Sequence, residues 1–310
     1  MGRMDLSREA SAALPEPTDF GECEYRSALV NVTNACNLSC RHCFVFRKDN
    51  PNQPRDKMDD ATMLYQLRVL RDRHRIRSML FMGGEPMIRW KLVSEALKLF
   101  EFSSIVTNGT YGIPCAPGTL VTVSLDGPEA LNDPIRGEGV FQKVKKAVYA
   151  RDPNDGTIVM LQMAVTKENA AGIEEFVEVV KDWPIDGIAF TFYVPTENDT
   201  GPLAWQDLRD RDEVVQRVIN LKAKYPGAVK SNVGALERLM SDVALESTGE
   251  RGDRCLMRGT LPLYVGDGGQ FERTFCCYGN DVDCTRCGAY AVFNAAYHRD
   301  TGDRGVLLTR

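Results

Sequence analysis

The sequence predicts an α/β fold, a partial barrel of six parallel strands followed by a small cysteine-rich segment. Six short runs of apolar and β-branched residues are the strand candidates: 28–33, 78–82, 103–107, 120–125, 157–165 and 187–194. Amphipathic helical patterns separate most of these runs, and buried strands that alternate with helices are typical of a parallel sheet. After about residue 226 the pattern changes, because glycines and cysteines become frequent there.

The helix candidates follow the strands in chain order, and they lie at 59–73, 91–100, 141–150, 168–183 and 206–225. Asn169 can cap the fourth helix, and an apolar stripe at helical spacing runs along the fifth. The third crossover, NGTYGIPCAPG, is rich in glycine and proline and predicts a loop instead of a helix. Six strands are too few for an eight-stranded barrel, so the barrel is predicted to be partial.

The chain divides into three predicted segments. Residues 1–24 are a polar leader, residues 25–225 hold the barrel, and residues 226–310 form a second domain. Within that domain, YVGDGGQF predicts a hairpin turn. A chain of 310 residues is long enough for one large domain with a small addition.

The composition excludes several classes of protein. The net charge is −5 and the lysines and arginines are scattered, which disfavours a nucleic-acid-binding protein. The sequence has neither a membrane-spanning apolar run nor the apolar core of a signal peptide, so we expect a cytoplasmic protein without membrane insertion. Ten cysteines in such a protein favour metal ligation over disulfides. Cys23 and Cys115 stand apart from the cysteine clusters and are expected to be small buried apolar residues.

Three cysteines lie close together in the loop after the first strand candidate. They are spaced Cys36-x3-Cys40-x2-Cys43, and in a parallel barrel this loop lies at the carboxyl ends of the strands, where ligands bind. Three thiolates can hold three irons of a [4Fe–4S] cube and leave the fourth iron open for a small molecule. The alternative is a zinc site, which needs four ligands. His42 is a poor fourth ligand, because it lies between two of the cysteines.

Three further motifs end the next three strands: LFMGGEP, VTNG and VSLDGPEALNDPIRGEGVF. Together with the cysteine triad they resemble the radical S-adenosylmethionine (SAM) superfamily over about residues 25–200, which implies a partial (β/α)6 radical SAM barrel. The residues that the resemblance implies as SAM contacts are Gly83, Gly84, Glu85, Asn108, Ser124, Asp126 and Arg136. The other interpretation of Asp126 and Arg136 is a strand-end turn and a surface ion pair.

The resemblance also implies a mechanism. SAM chelates the open iron through its amino and carboxylate groups, and one electron from the cluster cleaves SAM to a 5′-deoxyadenosyl radical. That radical takes a hydrogen atom from an unreactive C–H bond of the substrate. The glycines let the backbone approach SAM, and Glu85 accepts a hydrogen bond from its ammonium group. A reducing partner such as flavodoxin or ferredoxin supplies the electron.

The second predicted domain carries five cysteines: Cys255, Cys276, Cys277, Cys284 and Cys287. A cysteine on each side of a hairpin, followed by a Cys-x2-Cys pair, resembles the twitch domain, a short relative of the SPASM domain. This resemblance implies one auxiliary [4Fe–4S] cluster. A zinc site is the alternative, because four cysteines that include a Cys-x2-Cys pair also suit zinc.

Five cysteines for four ligand positions leave one thiol spare. Consecutive side chains point apart, so Cys276 and Cys277 are not expected to bind the same cluster, and one of them, most simply Cys277, is expected to be free. The favoured ligands are Cys255, Cys276, Cys284 and Cys287, with Cys277 free. A second set keeps Cys277 as a ligand and frees Cys255. The free thiol, Cys277 or Cys255, is the candidate catalytic donor of a hydrogen atom.

The favoured reaction is epimerisation at a carbinol carbon of an aminosugar, because a spare thiol can return hydrogen on the opposite face. Four acidic residues near strand ends suit a cationic substrate: Asp126, Glu168, Glu197 and Asp199. The competing interpretations are a dehydrogenase of an aminocyclitol, a maturase of ribosomal peptides and a hopanoid-type lipid enzyme. A zinc-binding or iron-delivery protein without enzymatic activity is disfavoured by the GGE motif and the motif after the fourth strand.

Overall fold

The computed structural model describes residues 14–45 and 58–302 of the chain. Within them, eight strands form one sheet in the order β6-β5-β4-β3-β2-β1-β7-β8. The strands are β1 (Ser27–Asn31), β2 (Ser78–Met82), β3 (Phe102–Thr107), β4 (Leu120–Ser124), β5 (Ile158–Val165), β6 (Gly187–Phe192), β7 (Thr260–Val265) and β8 (Phe271–Glu272). All six strands predicted from the sequence are present.

Strands β1 to β6 are parallel, and each pairs with the next in chain order. Helices occupy most of the connections between them, which confirms the predicted α/β class. The helices are α1 (Asp60–His74), α2 (Trp90–Ala96), α3 (Glu129–Arg136), α4 (Val140–Ala150), α5 (Ile173–Val180), α6 (Leu208–Lys224), α7 (Val233–Glu237), α8 (Ala244–Thr248) and α9 (Tyr290–Thr301). The carboxyl ends of the six strands therefore meet at one edge of the sheet.

Helices α7, α8 and α9 of the C-terminal segment are not predicted, and the barrel helices differ from the prediction at two main points. Helix α3 is not predicted, because Pro134 lies inside it and a proline disfavours a helix interior. Helix α5 begins later than predicted, since the chain after Asn169 first makes a 3₁₀ turn at Ala170–Gly172. The stretch 108–119 between β3 and β4, which is fully described, contains no helix, as the Gly/Pro-rich sequence predicts.

Alternating side chains on the strands divide the apolar residues into an outer and an inner set. Val30 of β1 and Phe81 of β2 belong to the large core that includes the helices. Their neighbours along the same strands belong to a smaller inner cluster, which we call the lumen cluster. Its buried members are Leu29, Val45, Met82, Tyr264 and Cys277. Half-buried Cys43, Leu80 and Val106 pack against it.

The C-terminal segment joins the barrel sheet directly. Strand β7 pairs in parallel with β1, with Ser27 opposite Thr260. Strands β7 and β8 form the predicted hairpin, with Val265 opposite Phe271. The pairing of β7 with β1 makes the sheet continuous across the predicted domain boundary near residue 226, and it brings Tyr264 into the lumen cluster.

Two further expectations concern the ends of the chain and membranes. Residues 1–13 of the predicted leader lie outside the described residues. No helix in the described part of the chain is both long and apolar enough to cross a membrane.

Candidate active site

The loop after β1 brings Cys36, Cys40 and Cys43 together at the carboxyl edge of the sheet. All three are half-buried. Burial raises the pKa of Cys40 to about 11, although the positive charge of Arg136 opposes the rise. Burial also raises the pKa of Cys36. Metal ions deprotonate the thiols that coordinate them, so three clustered thiols of this kind suit iron ligation.

A buried cluster of charged side chains connects this loop to the end of β4. Asp126, which is fully buried at the end of β4, lies 2.8 Å from His42 Nε2 and 2.6 Å from Arg136 Nε. Burial alone would raise the pKa of Asp126, but the charges of Arg136 and His42 outweigh it and hold the pKa below its usual range. The backbone N–H of Arg41 donates to the carbonyl of Ile135 at 2.9 Å. Asp126 and Arg136, predicted as SAM contacts, therefore lie where they anchor the cysteine loop to β4 and α3.

The two glycines of the GGE motif pack against the same loop. A Cβ atom at Gly84 would lie 2.2 Å from the carbonyl oxygen of Ala35, and one at Gly83 would lie 2.4 Å from that of Thr33. The backbone N–H groups of Gly84 and Glu85 donate to these two carbonyls, to Thr33 at 2.7 Å and to Ala35 at 2.8 Å. Glycine is required at these two positions because the backbone of the GGE motif lies against the start of the cysteine loop. A close approach of the same glycines to SAM stays a prediction.

Glu85 ends the motif as a fully buried carboxylate. Its Oε1 accepts from the backbone N–H of Met87 at 3.0 Å and from Thr107 Oγ1 at 2.7 Å. Its Oε2 accepts from the backbone N–H of Asn108 at 2.7 Å. Burial raises its pKa, while these hydrogen bonds lower it. A carboxylate has about four acceptor positions, so the three described bonds join the ends of β2 and β3 and leave room for one more donor.

Asn108 and Ser124 occupy the carboxyl edge next to the cysteines. Asn108 Nδ2 donates to Asn37 Oδ1 at 2.9 Å and lies 3.9 Å from Cys36 Sγ. Ser124 is half-buried at the end of β4 and alternates with Val123 of the outer core, so its side chain faces the inner side of the sheet. Both positions suit contacts to a ligand bound over the cysteine loop.

The five C-terminal cysteines line one cavity. Cys255 and Cys276 act electrostatically on Cys277, Cys284 and Cys287 alike. Burial raises the pKa of Cys284 to about 11, and these two neighbours add to the rise. The cavity thus brings the predicted ligand set together with Cys277.

Among the described residues, no set of three His, Cys, Asp or Glu side chains converges on a single metal ion. A cube binds each of its thiolates at a different iron, so its ligands are spaced more widely than those of one ion.

Cys277 lines the same cavity as the other four cysteines, and Cys276 and Cys255 act electrostatically on it as well. It is 9% exposed and belongs to the lumen cluster, against which Cys43 of the first cysteine loop also packs. Burial raises its pKa, with a further contribution from Cys276. The hydroxyl of Tyr264 donates to the carbonyl of Cys277 at 2.6 Å and fixes the backbone there. Cys277 therefore lies on the inner side of the sheet between the two groups of cysteines.

Three of the acidic residues suggested for a cationic substrate are engaged in other contacts. Asp126 belongs to the buried ion cluster described above. Both carboxylate oxygens of Glu168 accept from Arg41, at 2.6 and 2.9 Å. Asp199 accepts from the Tyr193 hydroxyl at 2.9 Å and from the Gly201 N–H at 2.8 Å. The fourth, Glu197, is exposed.

Some expectations about single residues are wrong or incomplete. Cys23 and Cys115 are exposed, not buried. The contact of His42 with Asp126 is not predicted, although the place of this histidine between two cysteines is a signal. The requirement for glycine at position 288 is also not predicted: a Cβ atom on Gly288 would lie 2.4 Å from the Tyr193 carbonyl oxygen.

Arg211 is a further residue that sequence reasoning does not find. It is almost fully buried beside Cys287. No sequence signal marks it, because it lies among charged residues in the first turn of α6.

Comparisons with known proteins give a family match and several relatives. The sequence matches the Radical SAM superfamily over residues 30–200. It is 27% identical over 169 residues to pre-heme d1 synthase of Dinoroseobacter shibae, which covers 50% of this chain and 40% of that protein. It is 28% identical over 162 residues to mycofactocin maturase MftC of Mycolicibacterium smegmatis, covering 47% and 39%. The matched segment thus spans about two fifths of the length of these relatives.

Solved structures share the fold. Native anSMEcpe with bound AdoMet superposes with a TM-score of 0.58 at 17% identity, covering 88% of this chain and 82% of that chain. Streptococcus suis SuiB bound to S-adenosylmethionine also gives 0.58 at 17% identity, covering 81% and 63%. At this level of identity, the likeness concerns the fold alone.

Proposed function

The chain belongs to the radical SAM superfamily, and on that premise we propose that Cys36, Cys40 and Cys43 hold a [4Fe–4S] cluster at which SAM is bound and reductively cleaved. The observation that supports this most directly is the arrangement of the three half-buried thiols in one loop. That loop is fixed on one side by Asp126 and on the other by the GGE motif. When bound, the cluster and SAM supply a carbon radical that abstracts a hydrogen atom from the substrate.

We propose that the chain's own residues position SAM and shield it from water. Ser124 on the inner face of β4 and Asn108 at the end of β3 are placed to donate to SAM at the carboxyl edge. The fourth acceptor position of Glu85 can take the SAM ammonium. The apolar lumen cluster next to Cys43 excludes water from the space beside the cysteine loop.

A second cluster is proposed for the C-terminal cysteines. Cys255, Cys276, Cys284 and Cys287 are the proposed ligands of an auxiliary [4Fe–4S] cluster, supported by the cavity that they share with Cys277. An external one-electron carrier such as flavodoxin or ferredoxin would serve as the reductant.

Cys277 is the proposed hydrogen-atom donor. Its position in the lumen cluster, between the two groups of cysteines, supports a role at the substrate. A new C–H bond forms at the substrate carbon as the S–H bond of Cys277 breaks. The sulfur-centred radical left on Cys277 then takes one electron from the external carrier and one proton, which restores the thiol. The substrate keeps its oxidation state, so the net reaction is epimerisation.

The substrate class has less support than the proposal that Cys277 donates a hydrogen atom. An aminosugar is one candidate, but three of the four suggested carboxylates are engaged in the contacts given above, which leaves Glu197 for a cationic group. A peptide is the second candidate, because one relative is a mycofactocin maturase and one structural neighbour is SuiB bound to precursor peptide SuiA. Dehydrogenation of an aminocyclitol and a hopanoid-type reaction are further candidates.

The test of SAM cleavage uses the full chain reconstituted anaerobically with iron and sulfide. We expect about eight irons per chain and formation of 5′-deoxyadenosine with dithionite. The variant with Cys36, Cys40 and Cys43 all replaced by alanine should form no 5′-deoxyadenosine and keep about half of the iron. A matched control is Cys115→Ala, which changes an exposed cysteine outside both groups. Normal cleavage of SAM by the triple variant would contradict the assignment.

The test of the reaction type is turnover in deuterated water with panels of aminosugars and of linear peptides. One deuterium on carbon without a change of oxidation state indicates epimerisation. Loss of two hydrogens indicates dehydrogenation, and a cross-linked peptide indicates peptide maturation.

A further inference from the structure

Two arginines are buried as whole residues in the described part of the barrel and its C-terminal segment, and they differ in their partners. Arg136 is 8% exposed and faces the carboxylate of Asp126 at 2.6 Å. Arg211 is only 1% exposed, and among the described residues no carboxylate lies within 4.0 Å of it. The second arginine therefore lacks the counter-charge that the first one has.

All the described hydrogen bonds of Arg211 go to backbone carbonyls. Nη1 donates to the carbonyl of Cys287 at 3.0 Å and more weakly to that of Arg286 at 3.4 Å. Nη2 donates to the carbonyl of Leu239 at 2.6 Å. Nε is buried and has no partner among the described residues. The guanidinium thus holds the Cys-x2-Cys segment through its last cysteine.

Neither of the two acidic neighbours in sequence neutralises this charge by contact, and Asp210 lies 3.9 Å from Lys167 instead. Asp212 accepts from the backbone N–H and the hydroxyl of Ser241, and its effect on Arg211 is a longer-range one. Burial lowers the pKa of Arg211, yet a guanidinium stays protonated in proteins. An unpaired buried cation costs several kcal/mol as an order of magnitude, so a negative group is expected nearby when the protein is assembled.

We propose that Arg211 is a positioning residue whose buried charge is balanced by the auxiliary cluster on Cys255, Cys276, Cys284 and Cys287, and that it raises the reduction potential of that cluster. This inference rests on the auxiliary cluster of the proposed function. Reduction by an external one-electron carrier adds one negative charge to the cluster and forms no bond to carbon. A fixed cation beside Cys287 stabilises this more negative state and so favours reduction.

The test is a redox titration of the full chain in which Cys36, Cys40 and Cys43 are alanine, so that only the auxiliary cluster contributes. Arg211→Met should make reduction of this cluster at least about tenfold less favourable, which is about 59 mV for one electron. Arg211→Lys keeps the positive charge, so its auxiliary cluster should have a reduction potential near that of the parent. The matched control is Arg217→Met on the same helix, since Arg217 is exposed and paired with Glu174.

The other possible outcomes also support or overturn the proposed role of Arg211. An unchanged potential in an iron-replete Arg211→Met variant overturns the proposal. Loss of iron from Arg211→Met but not from Arg211→Lys supports it, because lysine keeps the positive charge while both variants lose the forked hydrogen bonds of the guanidinium. Loss of iron from both overturns it, since the guanidinium would then act only through its hydrogen bonds. A parent triple variant without iron overturns the auxiliary cluster itself, and that result is visible before Arg211 is changed.

Discussion

Four charged residues of the described part of the chain are buried as whole residues, and each lies at or beside a group of cysteines: Glu85, Asp126, Arg136 and Arg211. Burying an ionised group is unfavourable unless hydrogen bonds or an opposite charge compensate it. Asp126 and Arg136 compensate each other, and Glu85 is compensated by three donors. The polar groups of the barrel interior thus fix the shape of the loops on which the cysteines lie.

Glu85 can be tested by replacement with glutamine. The amide would place an NH₂ group against the Thr107 hydroxyl, the Met87 N–H or the Asn108 N–H, all of which donate to Glu85. We expect Glu85→Gln to lower the free energy of unfolding by about 1–3 kcal/mol, the cost of leaving a buried donor unsatisfied. Urea denaturation of the anaerobic protein measures this.

The control for this substitution is Glu95→Gln, an exposed member of an ion pair with Lys98, which should change stability by less than about 1 kcal/mol. SAM affinity, measured separately, distinguishes the two roles of Glu85. Weakening by about 1.5–3 kcal/mol would support the ammonium contact. Unchanged stability of Glu85→Gln would contradict the structural role described above.

At the scale of elements, the six barrel strands are predictable because each is a local apolar run with buried faces. The position of β7 beside β1 is not predictable from the sequence. Ser27 and Thr260 are 233 positions apart, and nothing local in either strand indicates the other. Helix α3 is missed because Pro134 interrupts its pattern. The cysteine spacings indicate metal sites, whereas the ion cluster beneath the first loop depends on contacts between β4, α3 and that loop.

The junction of Cys287 with β6 provides a test at this scale. The backbone N–H of Phe192 donates to the Gly288 carbonyl at 2.8 Å, and a Cβ at Gly288 would lie 2.4 Å from the Tyr193 oxygen. Gly288→Ala should therefore push the segment away from β6 and displace Cys287. We expect the iron content to fall by about half, to about four irons per chain, while SAM cleavage persists.

Gly259→Ala is the matched control, because a Cβ atom there meets nothing within 4 Å and the residue lies four positions after Cys255. This variant should keep its full iron content. A full iron content in Gly288→Ala would show that the backbone of this segment adapts without losing a cluster ligand.

At the scale of the whole molecule, the two groups of cysteines share one continuous sheet. The first group follows β1, and the pairing of β7 with β1 brings the C-terminal segment to the same side. The sequence indicates both groups and one spare thiol, but not which thiol is spare. The proposal that Cys277 is the spare thiol rests on the lumen cluster, in which Cys277 meets residues of β1, β2 and β7.

Cys277→Ala tests whether this arrangement serves the reaction. Alanine preserves the apolar character of the site, and the hydrogen bond from Tyr264 goes to the backbone carbonyl, so the fold and both clusters should be retained. We expect SAM cleavage in the presence of substrate to continue while the epimerised product is lost at least about 100-fold, since the substrate radical has no thiol to reduce it. Mass spectrometry after turnover in deuterated water measures the product, and Cys23→Ala, at an exposed cysteine, is the control.

Loss of half the iron from Cys277→Ala would instead make Cys277 a cluster ligand and move the donor role to Cys255. Unchanged product formation would exclude a thiol donor at Cys277 and favour dehydrogenation or peptide maturation.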